Sequence, residues 1–139
     1  MRCEEIMKDG VLCVSPRDAV EHAAAAMRDG NLGFLPVCDQ SGKVLGTITD
    51  RDFAIRLVAA RKPGTIAIEE VMTREVISCS PNDDIRRAQE LMAKNHKSRI
   101  MCLDEDGDLV GVISLSDIAQ REQSSRAGET LRQVAEREI

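Results

Sequence analysis

Shifted by 65 positions, the sequence falls onto itself: Glu5-Ile6-Met7 meets Glu70-Val71-Met72, and 70 − 5 = 65. The same shift lays Ser15-Pro16 over Ser80-Pro81, Met27 over Met92, Asp39 over Asp104, Gly42 over Gly107, Gly46 over Gly111 and Asp52-Phe53-Ala54 over Asp117-Ile118-Ala119, with no gap. Turn glycines, a Ser-Pro pair and an apolar pattern do not stay in step over roughly fifty positions by chance, so the chain holds two copies of one structural unit. Arg61-Lys62-Pro63-Gly64-Thr65 is the connector.

Each copy predicts the same elements. A short β-branched run, Val11 to Val14 or Val76 to Cys79, precedes Ser-Pro-x-Asp, which reads as a helix start with Ser as N-cap and Pro at the first helical position. Val20, Ala23, Ala24 and Met27, or Ile85, Ala88 and Met92, then recur at helical spacing as one buried stripe. Two strands follow across a tight turn, Asp39-Gln40-Ser41-Gly42 or Asp104-Glu105-Asp106-Gly107. A second helix starts after Thr49 or Ser114, with Phe53, Ile55, Leu57 and Val58, or Ile118 and Ala119, as its apolar residues. The fold class is therefore mixed α/β (α+β), two βαββα repeats. Residues 1–62 are the first repeat, 66–121 the second and 122–139 a C-terminal extension. A unit of about 60 residues is marginal alone, so the copies are expected to pack about a pseudo-twofold axis and share one core. In the extension, Leu131, Val134, Ala135 and Ile139 fit one face of a short docking helix, or the segment is a frayed tail.

Composition narrows the function classes. The 139 residues are 42% hydrophobic and 31% charged, the balance of a soluble globular protein. No apolar run reaches the ~18 residues of a membrane span, and MRCEEIMKDG lacks the apolar core of a secretory signal, so the expected location is cytoplasmic, with no membrane partner. A net charge of −5 disfavours a nucleic-acid partner, and with only Phe34 and Phe53 as aromatics there is no base-stacking platform. The five cysteines are odd in number and never C-x-x-C, which points away from a disulfide framework or zinc ribbon. Cys13, Cys38, Cys79 and Cys102 lie in apolar runs and read as small buried hydrophobes. His22 and His96 have no ligand or carboxylate at a telling spacing and read as surface residues, with no metal site. The run Ala23-Ala24-Ala25-Ala26 suits a close helix seam in a dimer or is simply good helix former.

Together, Glu5-Ile6-Met7, Ser15-Pro16, Leu35-Pro36-Val37, Asp39-x-x-Gly42 and Gly46-Thr47-Ile48-Thr49-Asp50-Arg51-Asp52, with their second-copy counterparts up to Gly111-Val112-Ile113-Ser114-Leu115-Ser116-Asp117, resemble the tandem cystathionine-β-synthase (CBS) domain pair, or Bateman module, in its small stand-alone bacterial form. The resemblance covers roughly residues 4 to 121; Ile100-Met101-Cys102 departs from it by lacking the usual proline. It implies a regulatory module, not an enzyme, that binds AMP, ADP, ATP or S-adenosylmethionine in clefts between the copies. The ligand is regulatory rather than a cofactor. The module forms a homodimer and modulates a partner protein in trans.

Chemistry singles out Ser114, Ser116 and Asp117: hydroxyls and helix-start N–H groups suit phosphate, and a carboxylate accepts from both hydroxyls of a ribose. The same Ser-x-x-Asp pattern, like Thr49-x-x-Asp52, also describes a plain capping box. By family position Ser98 and Arg99 lie where phosphate arrives, in a run from Lys94 that otherwise reads as a solvated helix end. Arg forks onto phosphate. The first copy offers Phe34 in place of Arg99, with Arg51 its only nearby cation, so the second site is expected to be the better one. Family position also puts Ile77 and Val112, or Leu12 and Thr47, in an adenine slot, though each also reads as core. The rival to ligand sensing is an interaction or oligomerisation protein that has lost its nucleotide. No nucleophile–base pair, metal set or Gly-rich phosphate loop supports catalysis.

Overall fold

The computed structural model describes residues 1–121 and 124–135, and it divides the chain into a unit of Leu12–Val76 and a unit that joins Met1–Val11 to the chain from Ile77 onward. The repeat in the sequence and the unit in the fold are thus offset. The leading Glu-x-Met segment of the first copy packs with the second copy, and that of the second packs with the first.

Backbone pairing shows why. In one unit Cys3 N–H donates to the Asp83 carbonyl (2.8 Å), Glu4 N–H to Pro81 (2.9 Å), and Ile85 N–H to Met1 (2.9 Å). In the other, Ile68 N–H donates to Asp18 (2.9 Å), Glu69 N–H to Pro16 (2.9 Å), and Val20 N–H to Ile66 (2.8 Å). These bonds also move the helix starts. Helix α1 spans Val20–Gly30 rather than beginning at Pro16. Its later counterpart, Ile85–Asn95, likewise starts beyond Ser80-Pro81. Ser15 and Ser80 close turns of their own, accepting from Arg17 N–H at 3.4 Å and Asn82 N–H at 3.2 Å. The first amide of each helix, which needs an outside acceptor, finds the carbonyl of a leading segment instead of a serine.

After α1, strands β1 (Phe34–Cys38) and β2 (Val44–Thr49) form the expected antiparallel hairpin, with Phe34 opposite Thr49. Its turn is set by Asp39, whose Oδ1 accepts from the N–H groups of Ser41 (2.9 Å) and Lys43 (3.0 Å), and by Gly42 at φ 93°. The expected strand at Val11 to Val14 reduces to one parallel bridge, Val14 to Val37. Next, α2 takes Asp50–Asp52 and continues as a π-helical stretch, Phe53–Val58. That wider winding spoils the apolar spacing: Phe53 and Leu57 reach the core, whereas Ile55 and Val58 are 48% and 70% exposed.

The second copy adds β3 (Ser78–Cys79), parallel to β4 (Arg99–Leu103), which pairs antiparallel with β5 (Leu109–Ser114). Between them lies α3 (Ile85–Asn95). Despite its missing proline, β4 keeps the register and late bulge of β1. Helix α4 (Leu115–Arg121) follows, and α5 (Ser124–Ala135) docks on α3 and α4. There Gln89 Nε2 donates to the buried Thr130 Oγ1 (3.3 Å), and Val134 packs on the core. Leu131, expected on the docking face, is 55% exposed, because Thr130 one position earlier takes the inward place. Ile139 lies outside the described residues.

Each unit closes its own apolar cluster. Val14, Val20, Met27, Leu35, Ile48, Ile68 and Val71 fill one. Cys3, Ile6, Ile85, Met92, Ile100, Ile113 and Ile118 fill the other. The α3 stripe is buried as expected, but in α1 Ala24 is exposed, since it sits about 100° around the helix from buried Ala23. Cysteines 38, 79 and 102 are buried, whereas Cys13 is only half-buried. His22 is exposed, whereas His96 is half-buried beneath α5, its Nδ1 3.1 Å from the Gln133 carbonyl.

The leading segment also lies across the last strand of each hairpin. Lys8 and Val112 exchange backbone hydrogen bonds at 2.9 and 3.0 Å, and Thr73 and Thr47 do so at 2.9 Å each way. Such close approach requires glycine beside it. A Cβ on Gly111 would meet Met7 Sδ at 2.6 Å, while one on Gly46 would collide with the backbone carbonyl of Thr73. Gly46→Ala is therefore expected to lower stability by ~1–3 kcal/mol. Gly111→Ala should cost less, because a methionine tip can swing aside. Urea-denaturation midpoints check the order, and equal midpoints would contradict it.

Candidate functional site

Strand β5 runs straight into α4, so Ser114, the last strand residue, sits at the junction. Its N–H donates to Asp117 Oδ2 at 2.8 Å, and Asp117 N–H donates back to Ser114 Oγ at 3.1 Å. This is the reciprocal capping box that the local pattern describes. Ser114 Oγ is also 2.8 Å from Ser116 Oγ. Helix α4 has only seven residues, so side chains rather than a long helix dipole set the chemistry here.

Asp117 is 8% exposed, and its second oxygen, Oδ1, lies 3.4 Å from Lys8 Nζ. Burial pushes the Asp117 carboxyl upward, but the backbone N–H and hydroxyl of Ser114, with the Lys8 ammonium, outweigh it and hold the carboxyl below its usual value. Asp117 is thus an ionised carboxylate with a cation on its solvent side. Two carboxylate oxygens offer about four acceptor positions, so the cap and Lys8 leave room for a further donor.

Neighbouring elements converge on the same junction. The carbonyl of Ser98 accepts from Leu115 N–H at 2.8 Å, tying the loop before β4 to the first turn of α4. Arg99, exposed, opens β4 directly opposite Ser114 in the ladder, which sets the two side chains on one face of the sheet. Lys94 belongs to the last turn of α3, and His96 ends that helix in the left-handed conformation at φ 54°. Ile77 is half-buried, its carbonyl accepting from Met101 N–H at 3.3 Å. Val112 is 9% exposed, and Lys8 occupies its backbone donor and acceptor.

The corresponding junction in the 12–76 unit is built alike and furnished differently. Thr49 and Asp52 form the capping box, with Thr49 N–H to Asp52 Oδ2 at 3.0 Å. In place of Lys8, the Thr73 hydroxyl donates to Asp52 Oδ1 at 3.0 Å, and Arg56 Nε stands 3.8 Å from that oxygen. Asp52 is 5% exposed. Arg51 is exposed, with its backbone N–H on Asp50 Oδ1 (2.8 Å). Thr47 is half-buried and bonded to Thr73, and Leu12 is 55% exposed.

Sequence reasoning missed Lys8, Thr73 and Arg56. The repeat register did contain a signal, since Lys8 and Thr73 are equivalent and each follows the methionine of its leading segment. Only the exchange of those segments reveals which aspartate each one faces.

Comparison with known proteins assigns the family. The sequence profile of the CBS domain matches residues 3–59 and 68–123. The chain belongs to the CBS domain family, as a pair. It is 34% identical over 137 residues to CBS domain-containing protein YhcV of Bacillus subtilis, covering 98% of this chain and 96% of that protein. In structure it is similar to TA0289, a CBS domain protein of Thermoplasma acidophilum, with TM-score 0.83, 23% identity, and coverage of 96% of this chain and 75% of that one. It is also similar to the CBS domain pair of protein MJ0100 in complex with 5′-methylthioadenosine and S-adenosyl-L-methionine, with TM-score 0.78, 27% identity, and coverage of 86% and 94%. No helix among the described residues is long and apolar enough to cross a membrane.

Because folding lowers the Asp117 pKa, its contribution to stability is present above the carboxyl's unfolded value, ~3.9, and fades as pH falls through the lower folded value. Asp117→Asn should therefore lose less stability than wild type between about pH 6 and about pH 3. Urea midpoints across that range measure it, and parallel curves would contradict it.

Proposed function

We propose that this CBS pair is a regulatory module that takes up an adenosine-containing ligand, AMP, ADP, ATP or S-adenosylmethionine, through the second-copy junction. In this reading Asp117 accepts from the ribose hydroxyls, Ser114 and Ser116 donate to the ligand's polar tail, and Arg99 and Lys8 supply positive charge. Ile77 and Val112 offer apolar surface to adenine, with Ser98 holding the loop in place. The observation that carries the proposal is the state of Asp117: ionised, half-committed to its cap, and paired on its outer side, among the described residues, with a lysine whose side chain is 76% exposed. The lysine end of the pair is exposed and its ammonium stands 3.4 Å from the carboxylate, so the long side chain can swing into water when a ligand donor takes its place. The adenosyl ligands in the MJ0100 pair support the same ligand class.

The first-copy set of Thr49, Arg51, Asp52, Leu12 and Thr47 is weak or empty in this proposal, because Thr73 and Arg56 already engage the carboxylate. The module acts as a homodimer on another protein, in the cytoplasm. A differential ligand affinity worth ~1–3 kcal/mol is enough to switch such a partner. The second reading, an assembly protein indifferent to nucleotides, is favoured by the same saturation at Asp52.

Isothermal titration calorimetry with AMP, ATP and S-adenosylmethionine separates the two. At least one ligand should bind, Asp117→Ala should weaken it about tenfold or more, equivalent to ~1.4 kcal/mol, and Asp52→Ala should change it little. No heat with any of the three ligands, or Asp117→Ala binding like wild type, would leave the assembly reading in place.

A further inference from the structure

The 12–76 unit contains a chemical group that ligand binding does not use. Cys38 closes β1, and its N–H donates to the Val14 carbonyl at 2.9 Å, while Val14 N–H donates to the Pro36 carbonyl at 3.0 Å. These two bonds pin the residue before Val14 beside the end of the strand. As a result the Cys38 thiol donates to the Cys13 sulfur across only 2.7 Å. A disulfide bond is ~2.05 Å long, so the sulfurs need to close by less than about 1 Å.

The two thiols are also unequal. Cys38 is 6% exposed, whereas Cys13 is half-buried. The hydrogen bond from Cys38 lowers the Cys13 pKa and outweighs the opposing effect of burial. Thiolate, rather than thiol, is the species that attacks an oxidant. The remaining cysteines give an internal contrast. Cys79 Sγ lies 3.7 Å from both Cys3 Sγ and Cys102 Sγ, and the three are only 7%, 0% and 0% exposed in the core of their unit. Hydrogen bonds with Cys102 and Cys79 bring Cys3 down to about 4, whereas the bonds of Cys79 with Cys102 and Cys3, together with burial, push Cys79 up. Reach, rather than acidity, separates this cluster from the Cys13 pair.

We propose that Cys13 and Cys38 form an oxidisable dithiol that a hydroperoxide converts to an intramolecular disulfide, clamping the segment around Leu12 to Val14 onto β1. The Cys13 thiolate attacks one peroxide oxygen, the O–O bond breaks, and the leaving oxygen takes up a proton, giving Cys13 sulfenic acid and, from hydrogen peroxide, water. The Cys38 sulfur then attacks the Cys13 sulfur. The S–S bond forms, the S–O bond breaks, and the hydroxyl leaves as water with the Cys38 proton. Two thiols lose two electrons, and one hydrogen peroxide is reduced to two waters. A small dithiol reverses the change. No nucleotide takes part in either step.

The test treats the native full-length protein with hydrogen peroxide, unfolds it in excess maleimide and maps the alkylated cysteines by mass spectrometry. Wild type should lose the mass of two hydrogens and leave Cys13 and Cys38 unalkylated in one linked peptide pair, with Cys3, Cys79 and Cys102 all alkylated. Cys38→Ser, unable to close the bond, should instead hold a dimedone-reactive sulfenic acid at Cys13. Alkylation of all five thiols after treatment, or a link within the Cys3, Cys79 and Cys102 cluster in place of Cys13 to Cys38, would overturn the proposal. Both readings come from wild type, so they stand even if a variant fails to fold.

Discussion

The backbone exchange between the leading segments and the last strand of each hairpin governs the rest of this structure. Lys8 bonds to Val112 and Thr73 bonds to Thr47 through paired amide and carbonyl groups. Glycine at 111 and at 46 makes that approach possible, since a side chain there would strike the incoming segment. The segments also supply the acceptors for the first amides of α1 and α3, so one strip of backbone sets both a helix start and a site wall. An unpaired buried amide is costly, and a strip that satisfies several at once is correspondingly hard to displace.

From that constraint follows the divergence of the two junctions. The strip brings one side chain to each capping aspartate, and the sequence places lysine in one case and threonine in the other. A hydroxyl donates one short bond and adds no charge, and with Arg56 nearby it leaves Asp52 committed inside its own unit. A lysine on a long stem neutralises Asp117 loosely and from the solvent side, keeping it ionised and within reach of a competing donor. The position after the leading methionine, Lys8 or Thr73, thus makes the two capping aspartates of a duplicated fold chemically different.

How much of this was legible in the sequence depends on the range of the interaction. The hairpins were legible because Asp39 and Gly42, or Asp104 and Gly107, fix their turns within a few residues. The capping boxes were legible for the same reason. The helix starts were not, because the carbonyls that satisfy Val20 and Ile85 come from Ile66 and Met1, far off in the chain. Nor was the π-helical winding after Asp52, which turns Ile55 and Val58 outward despite an apolar pattern suited to an ordinary helix. Spacing along the chain likewise could not show that Cys13 and Cys38 meet, since a single bridge at Val14 is what aligns them. The apolar pattern of each copy placed Ser114, Ser116 and Asp117 at a strand-to-helix junction and the family likeness suggested a nucleotide there, yet Lys8 emerged only from three-dimensional packing.

Under the proposed function, the lysine-bearing junction receives the adenosyl group and the threonine-bearing one does not. Amide chemical-shift mapping during titration with AMP or S-adenosylmethionine distinguishes the two junctions residue by residue. Saturable shifts are expected at Lys8, Arg99 and Ser114 to Asp117, with Thr49 to Asp52 and Thr73 nearly still. Shifts centred on Thr49 to Asp52 instead, or none at either junction at millimolar ligand, would contradict the proposed function.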